Sequence, residues 1–353
     1  MGRKSLSYRG IFTLTLKRKG LENMKKILHI GTGGTICSQD TGEGLSPSIG
    51  AKVLLKYCPD IEKYCDVDSV QLLNLDSTNI RPGHWLKIAE AIEKNYDQYD
   101  GFVISHGTDT MAYSAAALSY LVQDSPKPIV FTGAQKPIDA IGSDAIRNLT
   151  DAFIVASDDN SQGVQIVFFG SVICGTRARK NFSKSFGAFG SINFPEIARI
   201  QDGRIARFVV NDVPKAPKFY SYLNPNVGLI KFVPGMRSDV LNYLINQYDG
   251  LVVESFGVGG LPEYSDFYEQ IKQAVDNGKL VVMTTQVPSE GSNLGVYRVG
   301  AQLKDHLNIL EAHDMTTESA LCKLMWILGQ TSEFKEAEKL FYTTIYHDIL
   351  YKD

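Results

Sequence analysis

Residues 25 to 36 read Lys25-Lys26-Ile27-Leu28-His29-Ile30-Gly31-Thr32-Gly33-Gly34-Thr35-Ile36. A short apolar run that breaks into glycines reads as a buried strand followed by a tight turn, and a buried strand of this kind belongs to a parallel sheet covered on both faces. The glycines let the backbone turn sharply and approach another segment closely. Thr35, at the end of the turn, carries the one reactive side chain before Cys37. In open α/β sheets ligands bind beyond the carboxyl ends of the strands, so Thr35 is expected to face a crevice.

The same grammar repeats downstream. Apolar runs at Val70 to Leu75, Gly101 to Ser105, Ile129 to Gly133 and Val164 to Gly170 alternate with stretches of helical period at Trp85 to Ile92, Met111 to Val122 and Asp144 to Ala156. Repeated βα units imply a doubly wound, flavodoxin-like α/β domain over residues 24–205. A stretch holding Pro214, Pro217 and Pro225 marks a linker over 206–226. A second, smaller α/β domain of Rossmann-like type is expected over 227–353. Its strands are read at Gly228 to Phe232, Leu251 to Phe256 and Leu280 to Thr285. Helices are read at Ser238 to Gln247, Tyr264 to Asp276, Thr317 to Leu328 and Glu333 to Phe341.

Bulk composition narrows the class of partner. With 353 residues, 44% hydrophobic and 21% charged, the chain is of ordinary globular type. A formal net charge of −3 gives no footprint for nucleic acid or an anionic membrane surface, leaving small molecules as the expected ligands. Five cysteines without a CxxC pair suggest neither a disulfide framework nor a zinc site, and fit a reducing cytoplasm. Residues 1–23 are basic, but their apolar stretch Ile11 to Leu16 is too short and polar for a secretory signal. Met24 stands directly before the first strand, so residues 1–23 read as an extension, upstream of an alternative start.

Three further segments carry candidate chemistry. The third strand ends in Ser105-His106-Gly107-Thr108-Asp109-Thr110, just before a helical run, so Asp109 is either a functional carboxylate or a helix N-cap. A threonine hydroxyl needs a base to become a nucleophile. Lys180, in Gly175-Thr176-Arg177-Ala178-Arg179-Lys180, is a candidate if burial and a neighbouring Arg177 or Arg179 favour its neutral form, and is otherwise a surface lysine. The glycine turn could instead cradle phosphate, although Ile36 stands where a dinucleotide loop has its third glycine and no Gly-Lys-Ser/Thr is present.

The runs GTGGTI at 31–36, LDSTNI at 75–80, HGTDTMAY at 106–113, TGAQKP at 132–137 and GTRARK at 175–180 together resemble the bacterial L-asparaginase family, in its cytoplasmic type I branch. The resemblance extends from about Met24 to the end. It implies hydrolysis of the side-chain amide of L-asparagine to L-aspartate and ammonia, with weak glutaminase activity, no metal or organic cofactor, and a homodimer or homotetramer. By the same resemblance Thr35 is the nucleophile, and Thr108, Asp109 and Lys180 form a second catalytic group. Asp109 meets the substrate α-ammonium, Ser77 beside Asp76 meets the α-carboxylate, and N–H groups around Gly34, Thr35 and Thr108 stabilise the oxyanion. His106, Arg147 and Asn148 are read as structural. Related amidotransferase subunits, which carry an added N-terminal domain, and a silent amino-acid-binding protein are the rival readings.

Two departures stand out. The mobile lid loop, 37–47, contains no tyrosine, whereas family members place one there against the nucleophile, leaving Ser46, Ser48 or Glu43 as possible helpers. The effector pocket of type I relatives contains an arginine and a cysteine. Glu254 and Val287 stand at the matching positions, so asparagine is not expected to activate through it.

Overall fold

A computed structural model describes residues 24–40, 42, 44–210 and 216–351. The extension read at 1–23 lies outside them. The larger domain is built on strands β1 (Lys25–Gly33), β2 (Cys65–Leu75), β3 (Gly101–Ser105), β4 (Pro128–Thr132) and β5 (Gly163–Phe168), which run parallel in the order 2-1-3-4-5. Helices α1 (Pro82–Asn95), α2 (Met111–Leu121) and α3 (Ala145–Ala156) provide the crossovers. This is the flavodoxin order, and its direction reverses between β1 and β3. The crossover connections after those two strands therefore leave to opposite faces of the sheet, and a crevice opens at their carboxyl ends.

Period-two alternation fills both faces of this sheet. Phe102 and Ile104 of β3 pack on one side with Leu28 and Ile30, while Val103 and Ile27 pack on the other against Leu149 and Phe153 of α3. The far edge of the sheet departs from the parallel pattern expected from sequence. Strands β6 (Ser171–Cys174), β9 (Ala198–Gln201) and β10 (Arg204–Arg207) extend the sheet antiparallel, and between them a hairpin pairs β7 (Ala178–Lys180) with β8 (Phe189–Ser191). The sheet is thus mixed.

In the smaller domain β11 (Val227–Lys231), β12 (Gly250–Ser255), β13 (Leu280–Thr285) and β14 (Leu310–Glu311) run parallel in sequential order. That order never reverses, so this sheet has no switch point of its own. Helices α4 (Ser238–Gln247), α5 (Phe267–Asp276) and α6 (Arg298–His306) cover its outer face. Its inner face is covered by α7 (Thr317–Leu328), followed by α8 (Phe334–Tyr342). Leu324 and Ile327 of α7 share one apolar cluster with Val252 and Val282 of this sheet and with Ala115 and Leu118 of α2, so a single core runs through both domains.

Buried charge fastens the same seam. Arg177, fully buried, donates to the carbonyls of His347 (2.5 Å) and Asp314 (2.6 Å) and to the Asp314 carboxylate (2.7 Å). The Asp314 carboxylate also accepts the backbone N–H groups of Leu350 and Tyr351 at 3.0 and 3.1 Å. Lys323 and Asp348 pair at 2.6 Å, also fully buried, and the Tyr120 hydroxyl donates to Asp348 at 3.1 Å. The segment after α8 is thereby pinned back onto the larger domain. No described helix is long and apolar enough to cross a membrane.

These buried groups set two measurable expectations. Asp314→Ala leaves the Arg177 guanidinium buried without its carboxylate, and equilibrium urea unfolding is expected to show a loss of about 3–5 kcal/mol. A loss under about 1 kcal/mol would mean that the seam does not depend on the pair. Burial pushes His29 and His106 down from 6.5 to about 4. Between those values the unfolded chain takes up protons that the folded chain refuses. Their contribution is complete above pH 6.5 and lost as pH falls toward about 4. Urea midpoints measured across that window should rise with pH, and less steeply in His29→Gln; an unchanged slope would contradict the assignment.

Candidate active site

The crevice is set by close backbone packing. Gly33 and Gly34 adopt positive φ of 110° and 86°, and a Cβ on Gly34 would lie 2.3 Å from the Gly107 nitrogen. A Cβ on Gly107 would in turn lie 2.6 Å from Ser77 Oγ. The turns after β1, β2 and β3 therefore meet at Gly34, Ser77 and Gly107 with no room for a side chain. The Gly34 N–H donates to the Leu75 carbonyl at 2.9 Å, and Thr32 Oγ1 donates to the Ser105 carbonyl at 2.9 Å. Thr110 Oγ1 closes the ring by donating to the Ser77 carbonyl at 2.8 Å.

Thr35 opens a single 3₁₀ turn, Thr35–Cys37, and is half-buried. Among the described residues none hydrogen-bonds its hydroxyl. Thr108 is buried, and the Lys180 ammonium donates to its Oγ1 at 2.8 Å and to Asp109 Oδ1 at 2.6 Å. Asp109 is not the N-cap of α2, because Thr110 occupies that position. Its carboxylate, 57% exposed, stands at the mouth of the crevice with Lys180. The surface alternative for Lys180 is excluded by its 17% exposure. The phosphate alternative is weakened by the carboxylate at the same mouth.

The expectation that Arg177 supports Lys180 is overturned. Arg177 closes the turn 175–177 ahead of β7, and its buried guanidinium is committed to Asp314 and to the His347 carbonyl. Arg179 acts electrostatically on Tyr113 and Glu318. Asp76 accepts from the Thr78 N–H and hydroxyl at 2.8 Å each, capping the 3₁₀ turn Ser77–Asn79, whereas Ser77 is buried against Gly107.

Neighbouring polar groups hold this arrangement. His106 Nδ1 lies 2.7 Å from the Gly107 carbonyl, which only accepts, so Nδ1 carries the proton. Its Nε2 then accepts from Ser114, whose hydroxyl receives the Trp85 indole N–H at 2.9 Å. His106 is structural, as read from sequence. Asn148 also ties helix to loop, donating to the Gly133 carbonyl at 3.0 Å and accepting from the Phe169 N–H at 2.9 Å. Arg147 reaches the same turn by lying over the Phe169 ring.

Sequence reasoning passed over Gln135. Its Oε1 accepts from the Thr108 hydroxyl at 3.3 Å, and Asp144 fixes its backbone by accepting from the N–H groups of Gln135 and Lys136. The loop read as a lid forms a small hairpin, Ser38–Asp40 against Leu45–Pro47. Of its candidate helpers, Ser48 donates to Gln39 at 2.8 Å, Ser46 is exposed, and Glu43 lies outside the described residues. Glu254 is buried and accepts from Thr317 Oγ1 at 2.6 Å, while Val287 is exposed.

Two family models match, asparaginase N-terminal over residues 26–210 and glutaminase/asparaginase C-terminal domain over residues 226–341. An L-asparaginase of Thermococcus kodakarensis is 37% identical over 92% of this chain and 99% of its own length. The solved structure of the enzyme from that organism superposes with a TM-score of 0.87 at 36% identity, covering 93% of this chain and 100% of that one. L-asparaginase I from Vibrio cholerae superposes at 0.83 with 29% identity, over 93% of this chain and 100% of its own. A glutamyl-tRNA(Gln) amidotransferase subunit of Pyrococcus furiosus is 37% identical over 91% of this chain and 76% of its own length. Both domains, and the strand ends that build the crevice, place this chain in the asparaginase/glutaminase superfamily.

Proposed function

We propose that the protein hydrolyses the side-chain amide of L-asparagine to L-aspartate and ammonia through an acyl-enzyme on Thr35, in the manner of the type I, cytoplasmic branch. The observation that carries this reading is Lys180 Nζ held at 2.8 Å from Thr108 Oγ1 and 2.6 Å from Asp109 Oδ1, beside a threonine in the turn after the neighbouring strand.

In the first step Thr35 Oγ1 bonds to the amide carbon, and its proton is taken through Thr108 by Lys180 in its neutral amine form, which returns it by the same route to the departing nitrogen. The C–N bond breaks, ammonia leaves, and an ester remains on Thr35. Water then adds to the ester carbon, gives its proton back to Thr35 through the same relay, and frees aspartate. The negative oxygen formed in each addition is stabilised by the backbone N–H groups of Thr35 and Thr108, that of Gly34 being committed to the Leu75 carbonyl. Asp109 at the crevice mouth suits the α-ammonium, and the Ser77 hydroxyl suits the α-carboxylate.

Purified protein is expected to release ammonia from asparagine, and Thr35→Ala and Thr108→Val each to lower kcat on the order of 10³-fold or more. The amidotransferase relative favours a second reading, in which a donor amide is deamidated for transfer. Turnover of glutamine in strong preference to asparagine would support that reading over the first, and asparagine binding without turnover by the unaltered protein would sink both. Glu254 is engaged by Thr317, so the dependence of rate on asparagine is expected to be hyperbolic. A sigmoidal curve abolished by Glu254→Ala would reverse that expectation.

A further inference from the structure

The Gln135 side chain touches two things at once. Its Nε2 lies 3.0 Å from the Ser185 carbonyl and 3.4 Å from the Phe182 carbonyl, both in the loop 181–187 that joins β7 to β8, while its Oε1 faces Thr108. A carbonyl oxygen only accepts, so two carbonyls on one side fix the amide with its nitrogen toward the loop and its oxygen toward Thr108. The hydroxyl of Thr108 has one proton, and an amide oxygen must receive it. Lys180 therefore donates to a lone pair of Thr108. The proton order from Lys180 through Thr108 to Gln135 is thus determined by the loop.

The loop has its own seat. Phe186 packs against Phe169 with ring centroids 6.1 Å apart, and the Lys136 ammonium lies 5.5 Å from the centre of the Phe186 ring. Phe169 and Gly170 both have positive φ, 51° and 81°, in the two-residue turn between β5 and β6. An aromatic residue is seldom found in the left-handed region, and here the conformation aims its ring at Phe186. Phe182 of the same loop is 55% exposed, so polar and aromatic anchors, rather than burial of the whole segment, hold the loop down.

From this geometry we infer that Gln135 is a positioning residue joining the docked loop 181–187 to the hydroxyl of Thr108. With the loop docked, the Thr108 proton is committed to Gln135. One lone pair is committed to Lys180, and the other is left to accept a hydrogen bond from the crevice; a proton moves on through Thr108 when its own proton turns from Gln135 to Lys180. With the loop lifted, the amide is free to make a half turn, the hydroxyl is free to rotate, and its proton competes for the crevice face. The role in catalysis rests on the asparagine amidohydrolase reading; the mechanical link between loop and hydroxyl does not.

The test uses the full chain in three single variants: Gln135→Met, Phe186→Ala and Thr108→Val. Amide hydrogen exchange of residues 181–188 is expected to accelerate in all three. Thr108→Val belongs with the others because coupling is reciprocal, and removing the donor to Oε1 loosens the hold of Gln135 on the loop. Asparagine turnover is expected to show kcat lowered by about tenfold in Gln135→Met and Phe186→Ala with KM changed by less than about twofold. The double variant should be no slower than Gln135→Met alone, because both changes act through one joint.

Loop exchange unaltered in Gln135→Met would overturn the link. So would a Phe186→Ala protein whose loop exchanges faster while kcat stays at the unaltered level, or two single effects on kcat that multiply. Phe186 lies on a surface loop, so its variant tests the joint even if Gln135→Met does not fold. Should the unaltered protein leave asparagine intact, the amidohydrolase reading fails by itself, and the exchange rates still decide whether the joint exists.

Discussion

The contact between the backbones of Gly34 and Gly107 is the constraint on which the rest of the site depends. A parallel sheet in the order 2-1-3-4-5 brings the ends of β1 and β3 side by side, but only residues without a Cβ let the two turns touch. Their touching delivers Thr35 from one turn and Thr108 from the other to a common crevice. Ser77 reaches the same place because the turn after β2 packs against Gly107 in turn. Topology supplies the neighbourhood, and the glycines make it close enough for chemistry.

Around that contact the protein places groups whose hydrogen bonds leave little freedom. Trp85, Ser114 and His106 form a directed chain that ends on the Gly107 carbonyl, and desolvation keeps His106 neutral so that the direction holds. Asp144 gathers the N–H groups of Gln135 and Lys136 together with the Asn148 amide, which steadies the turn after β4. Preorganised dipoles of this kind need not reorient as charge develops, which is where electrostatic catalysis gets most of its effect.

Much of this was legible in the sequence because its signals are local. The central strands are continuous apolar runs, the helices between them are periodic, and Thr35, Thr108, Asp109 and Lys180 lie in or beside short runs of glycine and threonine. What escaped was non-local or weakly patterned. Strands β9 and β10 are four residues each and half polar, and β14 has two residues, too few to show a period. Helix α6 has low hydrophobicity, with Gly300 and Leu303 as its buried contacts. Gln135 gave no signal because its loop partners are backbone carbonyls 47 and 50 residues away, and any sequence supplies a carbonyl. The seam role of Arg177 was not legible because its partners Asp314 and His347 lie 137 and 170 residues away.

The short spacing between Arg177 and Lys180 also limits how the chain can change in length. The run is a ruler with one end in the seam, fixed by Asp314, and the other in the crevice, fixed by Thr108 and Asp109. Inserting or deleting one residue between them would pull one end away from its partners while the other stays attached. Substitutions within the run change the strength of either attachment, but only its length keeps both. Length variation on this side of the molecule is consequently confined to the exposed loop 181–187 and beyond, where an added residue alters neither end of the ruler.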